Sequence, residues 1–156
     1  MMSGLPNSVR LRRTVAALAV LAPLVLAGCT SDKGPTAAEA GQTLKSHILQ
    51  LIKERNAKNV TIIDPGGRNI SCADGKFKQT FAVTAADADA NSRPQIIKDA
   101  LISALGNVAP YEIVSDKFDD SPIEVQNAHA ATVLFLGSSA NGRIEVQGQT
   151  QCLLPS

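Results

Sequence analysis

The sequence predicts an α+β domain: a single antiparallel sheet of four to five strands with two helices packed on one face. Three observations lead there. Two segments carry apolar residues at helical spacing behind N-terminal capping signals. Several short segments alternate apolar and polar residues at the strand period. Their order places a helix, one or two strands, a second helix and then only strands, which favours helices gathered on one side of an antiparallel sheet.

Thr36-Ala37-Ala38-Glu39 reads as a capping box, with Thr36 as N-cap and Glu39 reaching back. Leu44, Ile48, Leu51 and Ile52 follow at i, i+4, i+7 and i+8, one face of a helix running to about Asn56. Val60 to Ile63 is a possible short strand, closed by the turn signal Asp64-Pro65-Gly66-Gly67. Phe77, Gln79, Phe81 and Val83 alternate with Lys78, Thr80, Ala82 and Thr84 as a half-buried strand. Ser92-Arg93-Pro94-Gln95 reads as a second capping box, with proline near the helix start where its missing N–H costs nothing. Ile96, Ile97, Ala100, Leu101, Ala104 and Leu105 predict the apolar face, and Gly106 a left-handed C-cap.

The remainder is read as β-structure. Tyr111, Ile113 and Ser115 alternate with Glu112 and Val114. Ile123 and Val125 begin another strand, and Ala130 to Leu136 is apolar enough to be central. Residues 137–142, closing on Asn141-Gly142, predict a hairpin loop before the last strand, Ile144 to Gln149.

The first 28 residues read differently. Arg10, Arg12 and Arg13 open the chain without an acid, and Thr14 to Leu26 form an apolar run broken only by Pro23. Thirteen such residues span about 20 Å as a helix, short of the ~30 Å hydrocarbon core. Small residues follow and end in Leu26-Ala27-Gly28-Cys29. Basic start, short apolar run and small residues together define a secretory signal peptide over residues 1–28.

Leu26-Ala27-Gly28-Cys29 resembles the lipobox of bacterial lipoproteins, and every position matches. The resemblance covers only the first thirty residues. It implies that Cys29 receives a diacylglyceryl thioether, that the signal is cut before it, and that the new amine is often acylated. It therefore implies a protein lipid-anchored to the cell membrane on its extracytoplasmic face. Arg12-Arg13 also resembles a twin-arginine export signal, although Leu11 stands where that family prefers Ser or Thr. Both export routes remain open.

Residues 29–36 then comprise the lipidated cysteine and a short polar tether, and residues 37–156 a single domain. Three of the 15 basic residues and none of the 14 acids lie before residue 29, so the remaining chain carries a net charge of −2. With one Tyr, four Phe and no Trp, it lacks the basic stripe and stacking rings that nucleic-acid binding needs. Once Cys29 is lipidated, Cys72 and Cys152 are an even pair in an exported domain, and a disulfide is expected between them.

No motif assigns a catalytic residue, metal ligand or cofactor. Asp87-Ala88-Asp89-Ala90-Asn91 opens like a calcium loop. Ser92 then stands where the pattern needs Gly, and Lys98 where it needs Glu, so a solvated loop is expected. Asp116, Asp119 and Asp120 cluster in what reads as a polar connection. His47 is expected at the surface beside the first helix's apolar face, and His129 at a strand edge. The expectation is a non-catalytic binding module of the envelope that takes a protein, a polymer or a small apolar ligand. The alternative is a small hydrolase or metal-dependent enzyme using the Asp116–Asp120 loop and His129.

Overall fold

Thr36 caps the first helix. In the computed structural model, which describes residues 34–89, 91–115 and 121–155, its side chain accepts from the Glu39 N–H while the Glu39 carboxylate accepts from the Thr36 N–H. This is the expected capping box, and it starts α1 (Ala37–Glu54). Leu44, Ile48, Leu51 and Ile52 are all buried, as their spacing predicts. The helix ends two residues before the expected Asn56, which has φ +51°, a left-handed conformation in which a helix cannot continue.

The strands are β1 (Lys58–Asp64), β2 (Ile70–Ser71), β3 (Phe77–Lys78), β4 (Thr80–Ala86), β5 (Glu112–Ser115), β6 (Ile123–Asn127), β7 (Thr132–Ser139) and β8 (Arg143–Thr150). The sheet is antiparallel as expected but has six strands, in the order β1-β4-β8-β7-β6-β5, where four to five were predicted. The difference lies at the edge. The possible strand at Val60–Ile63 is the core of a seven-residue edge strand, bulged twice against β4. A separate two-stranded sheet, β2 with β3, was not foreseen. Each of its strands has two residues, too few to show a period.

The helices share one face: α1 lies over β4 and β8, and α2 (Pro94–Leu105) over β7 and against α1. Between them the sheet contributes buried cross-strand rows. One row is Val83, Val146, Leu136 and Ile123; the next is Phe81, Gly148, Leu134 and Val125. The opposite face carries Thr80, Thr84, Glu145 and Gln126, only half-buried, and Gln147, exposed, which explains the clean alternation along these strands. β7 and β8 are central, as the apolar character of residues 130–136 implied.

Details of α2 and its neighbours differ from expectation. The Ser92 box does not form. The Ser92 hydroxyl donates to the Asp89 carboxylate at 2.9 Å, and Arg93 is an N-cap without a side-chain hydrogen bond. Pro94 does occupy the first turn. The buried face is Ile97, Lys98, Leu101 and Leu105, whereas Ile96 is 48% exposed. Gly106 is right-handed, at φ −58° and ψ −25°, and the chain leaves the helix through tight turns from Ala104 and Leu105 to Asn107 and Val108. Residues 137–139 remain in β7, with Ser139 opposite Arg143, so the hairpin loop is only residues 140–142. Asn141 and Gly142 supply its left-handed turn, at φ +63° and +69°.

Cys72 and Cys152 stand at disulfide distance, with sulfurs 1.95 Å and Cα atoms 6.1 Å apart. The pair ties the β2–β3 hairpin to the chain just past β8. There Leu153 exchanges backbone hydrogen bonds with Phe77, and Leu154 accepts from the first N–H of α1 at 2.7 Å.

Candidate functional site

The helix, the approach to β5 and the β6–β7 turn meet at a groove of about 640 Å³, within the usual range for ligand sites. Gly34 and Pro35 form one lip. Thr43 and His47 come from α1, Ala109 and Pro110 from the segment after α2, and Asn127, His129 and Ala130 from the turn. The two histidines, 82 positions apart in sequence, thus line one cavity.

His47 follows Leu44 by three residues and flanks the buried stripe, so its ring is neither in the core nor free. Its Nδ1 lies 3.0 Å from the Tyr111 hydroxyl, and the two rings meet edge to face, 5.8 Å between centroids and 77° between planes. The Tyr111 hydroxyl is in turn 2.9 Å from Oγ1 of Thr132, which is fully buried on β7. Burial lowers the His47 pKa below its ordinary value, which favours the neutral ring. Burial also raises the Tyr111 pKa, against the opposing hydrogen bond from Thr132, so the phenol keeps its proton.

Thr132 has Tyr111 as its one side-chain hydrogen-bond partner among the described residues. A buried hydroxyl proton left unused costs free energy, about 1–3 kcal/mol. The order that uses every proton runs from the Thr132 O–H to the Tyr111 oxygen and from the Tyr111 O–H to His47 Nδ1. The ring is then the Nε2–H tautomer. Arg55 Nε is the one buried side-chain nitrogen or oxygen without a partner among the described residues. His47 Nε2 has no partner either, so it is reached by solvent, and the opening beside it is the groove.

His129 sits at the tip of the turn. Asn127, itself buried, shapes that turn by accepting the Ala130 N–H at 2.9 Å, and Ala131 follows at φ +52°. His129 is exposed, whereas Ala131 in the same turn is buried.

A second pocket of about 320 Å³ adjoins the first, because Ala109 and Pro110 line both. Its walls are chiefly aliphatic: Ile102, Leu105, Val108, Ile113 and Val125.

Asp87, expected in a solvated loop, is instead buried and ion-paired with Arg55 just past α1. It also accepts the Asp89 N–H at 3.1 Å, and its own N–H donates to Gly142 at 2.7 Å. The loop is a structural tie between α1, β4 and the last hairpin, with its carboxylate already committed.

Cys29 and the Asp116–Asp120 run lie outside the described residues. Among the described residues no group of three or more His, Cys, Asp and Glu could hold a metal ion. No helix there is long and apolar enough to cross a membrane. The surface position expected for His47 is corrected to half-buried and hydrogen-bonded. Tyr111 and Thr132 were not singled out from sequence. Their one signal was that Tyr111 is the only tyrosine in the chain. Comparison with protein-family models, with curated proteins and with solved structures finds no match.

Proposed function

We propose that this chain is the precursor of a lipoprotein anchored on the extracytoplasmic face of the membrane, and that its domain is a non-catalytic binding module. The observation that carries the reading is the Cys72–Cys152 pair. Disulfides persist in exported proteins, and this one leaves only Cys29 over, the cysteine of the lipobox-like run. The capped start of α1 at Thr36 supports it as well, since only seven residues separate a rigid helix from the proposed anchor. A groove beside that start gives the module a place to bind.

The test is mass spectrometry of the mature N-terminus. The expected species begins at Cys29 and carries a diacylglyceryl group, and Cys29→Ala is expected to accumulate uncleaved precursor. An unmodified N-terminus at any other residue would overturn the anchor. A turnover by the purified protein that is lost in His129→Ala without loss of stability would replace the binding reading with an enzymatic one.

A further inference from the structure

We infer that the groove beside Gly34 and Pro35 binds the ester-linked acyl chain of a membrane lipid, with His47 Nε2–H donating to the ester carbonyl and the adjoining aliphatic pocket taking the chain. The inference rests on the anchor proposed above for the source of the lipid, but not for the chemistry of the groove.

The chemistry follows from what the walls offer. The Thr132–Tyr111–His47 sequence of hydrogen bonds orients the His47 Nε2–H as a donor in the groove, beside the Asn127 amide and the His129 ring, so the ligand must bring an acceptor there. Among the described residues no Asp, Glu, Lys or Arg lines either pocket, so no carboxylate, ammonium or guanidinium is placed to pair with a charged ligand group, and an uncharged acceptor is the better match for the two imidazoles and the Asn127 amide. A sugar is a poor fit. The chain has no Trp, and its one tyrosine, Tyr111, lines the adjoining pocket, turns its ring edge-to-face with His47 and is half-buried. Beyond Ala109 and Pro110 the second pocket offers chiefly apolar surface. Among the described residues its polar side chains are Asn107 and Tyr111, whose hydroxyl is already bonded to His47 and Thr132. An acyl chain ending in a neutral carbonyl meets both pockets at once.

The position of the groove names the source. Gly34, the first described residue, is part of its lip and lies five residues after Cys29. Five extended residues reach at most about 18 Å. An anchor at Cys29 therefore holds this end of the domain at the bilayer, where the abundant uncharged carbonyl on an aliphatic chain is the acyl ester of a membrane lipid.

The experiment titrates the purified full chain with monooctanoylglycerol, kept below its micellar threshold, and follows backbone amide shifts by NMR. Saturable shifts are expected at His47, Tyr111, Ala130 and Ile113, with sodium octanoate at pH 7.5 at least tenfold weaker. His47→Leu should lose the binding at least tenfold. His47→Gln, whose amide can accept from Tyr111 and still donate, should retain most of it. Nitrogen-15 spectra of the unliganded ring supply a measurement that needs no variant, and the Nε2–H tautomer is expected.

An Nδ1–H tautomer, equal binding of octanoate, or shifts confined to Phe135 and Gln147 on the other sheet face would each overturn the inference. The N-terminal mass separates the two failures. If Cys29 is lipidated and the ester does not bind, the groove reading falls alone. If Cys29 carries no lipid, the membrane source falls whatever the ester does.

Discussion

Gly148 of β8 lies directly beneath Leu44 of α1: a methyl group added at Gly148 would stand 2.5 Å from Leu44 Cδ1 and 2.8 Å from Leu134 Cδ2. The glycine lets the helix settle onto the sheet at the point where the row of Phe81, Leu134 and Val125 needs a gap. Three close-packed side chains surround the site, including Ile48 at 3.0 Å, so no single rotamer change clears it. Gly148→Ala is expected to destabilise the protein by about 1–3 kcal/mol through overpacking. Urea unfolding checks this, and the double change with Leu44→Ala should cost less than the sum of the single changes, because truncating Leu44 opens the space.

The Cys72–Cys152 bridge closes a loop of about eighty residues, spanning β3, β4, α2 and all later strands. In the chain-entropy picture such a closure contributes about 4–5 kcal/mol, an upper figure where the reduced chain keeps residual structure. Cys72→Ser with Cys152→Ser is expected to lower the melting temperature by well over ten degrees while leaving the circular dichroism of the folded state unchanged at low temperature. A variant that melts with the wild type would show that the Phe77–Leu153 backbone bridge holds this corner by itself.

These two features differ in how far the sequence discloses them. The cysteine pair was legible because Cys72 and Cys152 are the only cysteines besides Cys29 of the lipobox-like run. The face of α1 was legible because its apolar residues occupy one narrow stripe. The face of α2 was misplaced by about one position. Ile96 and Ile97 are adjacent and equally apolar, so periodicity cannot decide which turns inward, and Lys98 takes a place at 2% exposure that its charge disguises. Its ammonium group reaches the Ser121 carbonyl at 3.1 Å, a partner 23 residues away. The second capping box failed for a related reason: Asp89, three residues earlier, competes for the Ser92 hydroxyl. The groove was not legible at all. His47 lies on α1, Tyr111 just before β5 and Thr132 on β7, and only the crossing of α1 over the sheet brings them into line.

Asp87 and Arg55 give an acid-sensitive contribution to stability. Burial alone would raise the Asp87 pKa. The Arg55 guanidinium and the Asp89 N–H act against it and bring the value below the ordinary 3.8. A carboxylate whose folded pKa is lowered contributes stability that is present above the unfolded value and lost as pH falls through the folded one. Asp87→Asn is therefore expected to lower stability at pH 7 and to flatten the loss below about pH 4. Asp87→Ala should cost more, about 3–5 kcal/mol, because it leaves the Arg55 charge without its partner. Unfolding free energies measured between pH 2 and 7 decide this, and an unchanged acid limb in Asp87→Asn would assign the loss to other carboxylates.

His47 acts in a different window. Its folded pKa is lowered from 6.5 by burial, so the unfolded chain takes up a proton that the folded chain resists. Stability from the neutral ring is then complete above pH 6.5 and declines as pH falls from that value toward the folded pKa. Protonation also reverses the hydrogen-bond order, because a charged imidazole must donate from Nδ1. Tyr111 would have to accept that proton and turn its own toward Thr132, whose hydroxyl proton would lose its acceptor. His47→Gln removes the titration and keeps a hydrogen-bond acceptor for Tyr111. It is expected to abolish the stability change between pH 6.5 and 5 while leaving the acid limb from Asp87 in place. Tyr111→Phe should keep the titration but shift the His47 pKa, read directly from its ring carbon shifts by NMR. If His47 titrates at 6.5 in the folded wild type and Tyr111→Phe does not move it, the ring is not held as the structure places it.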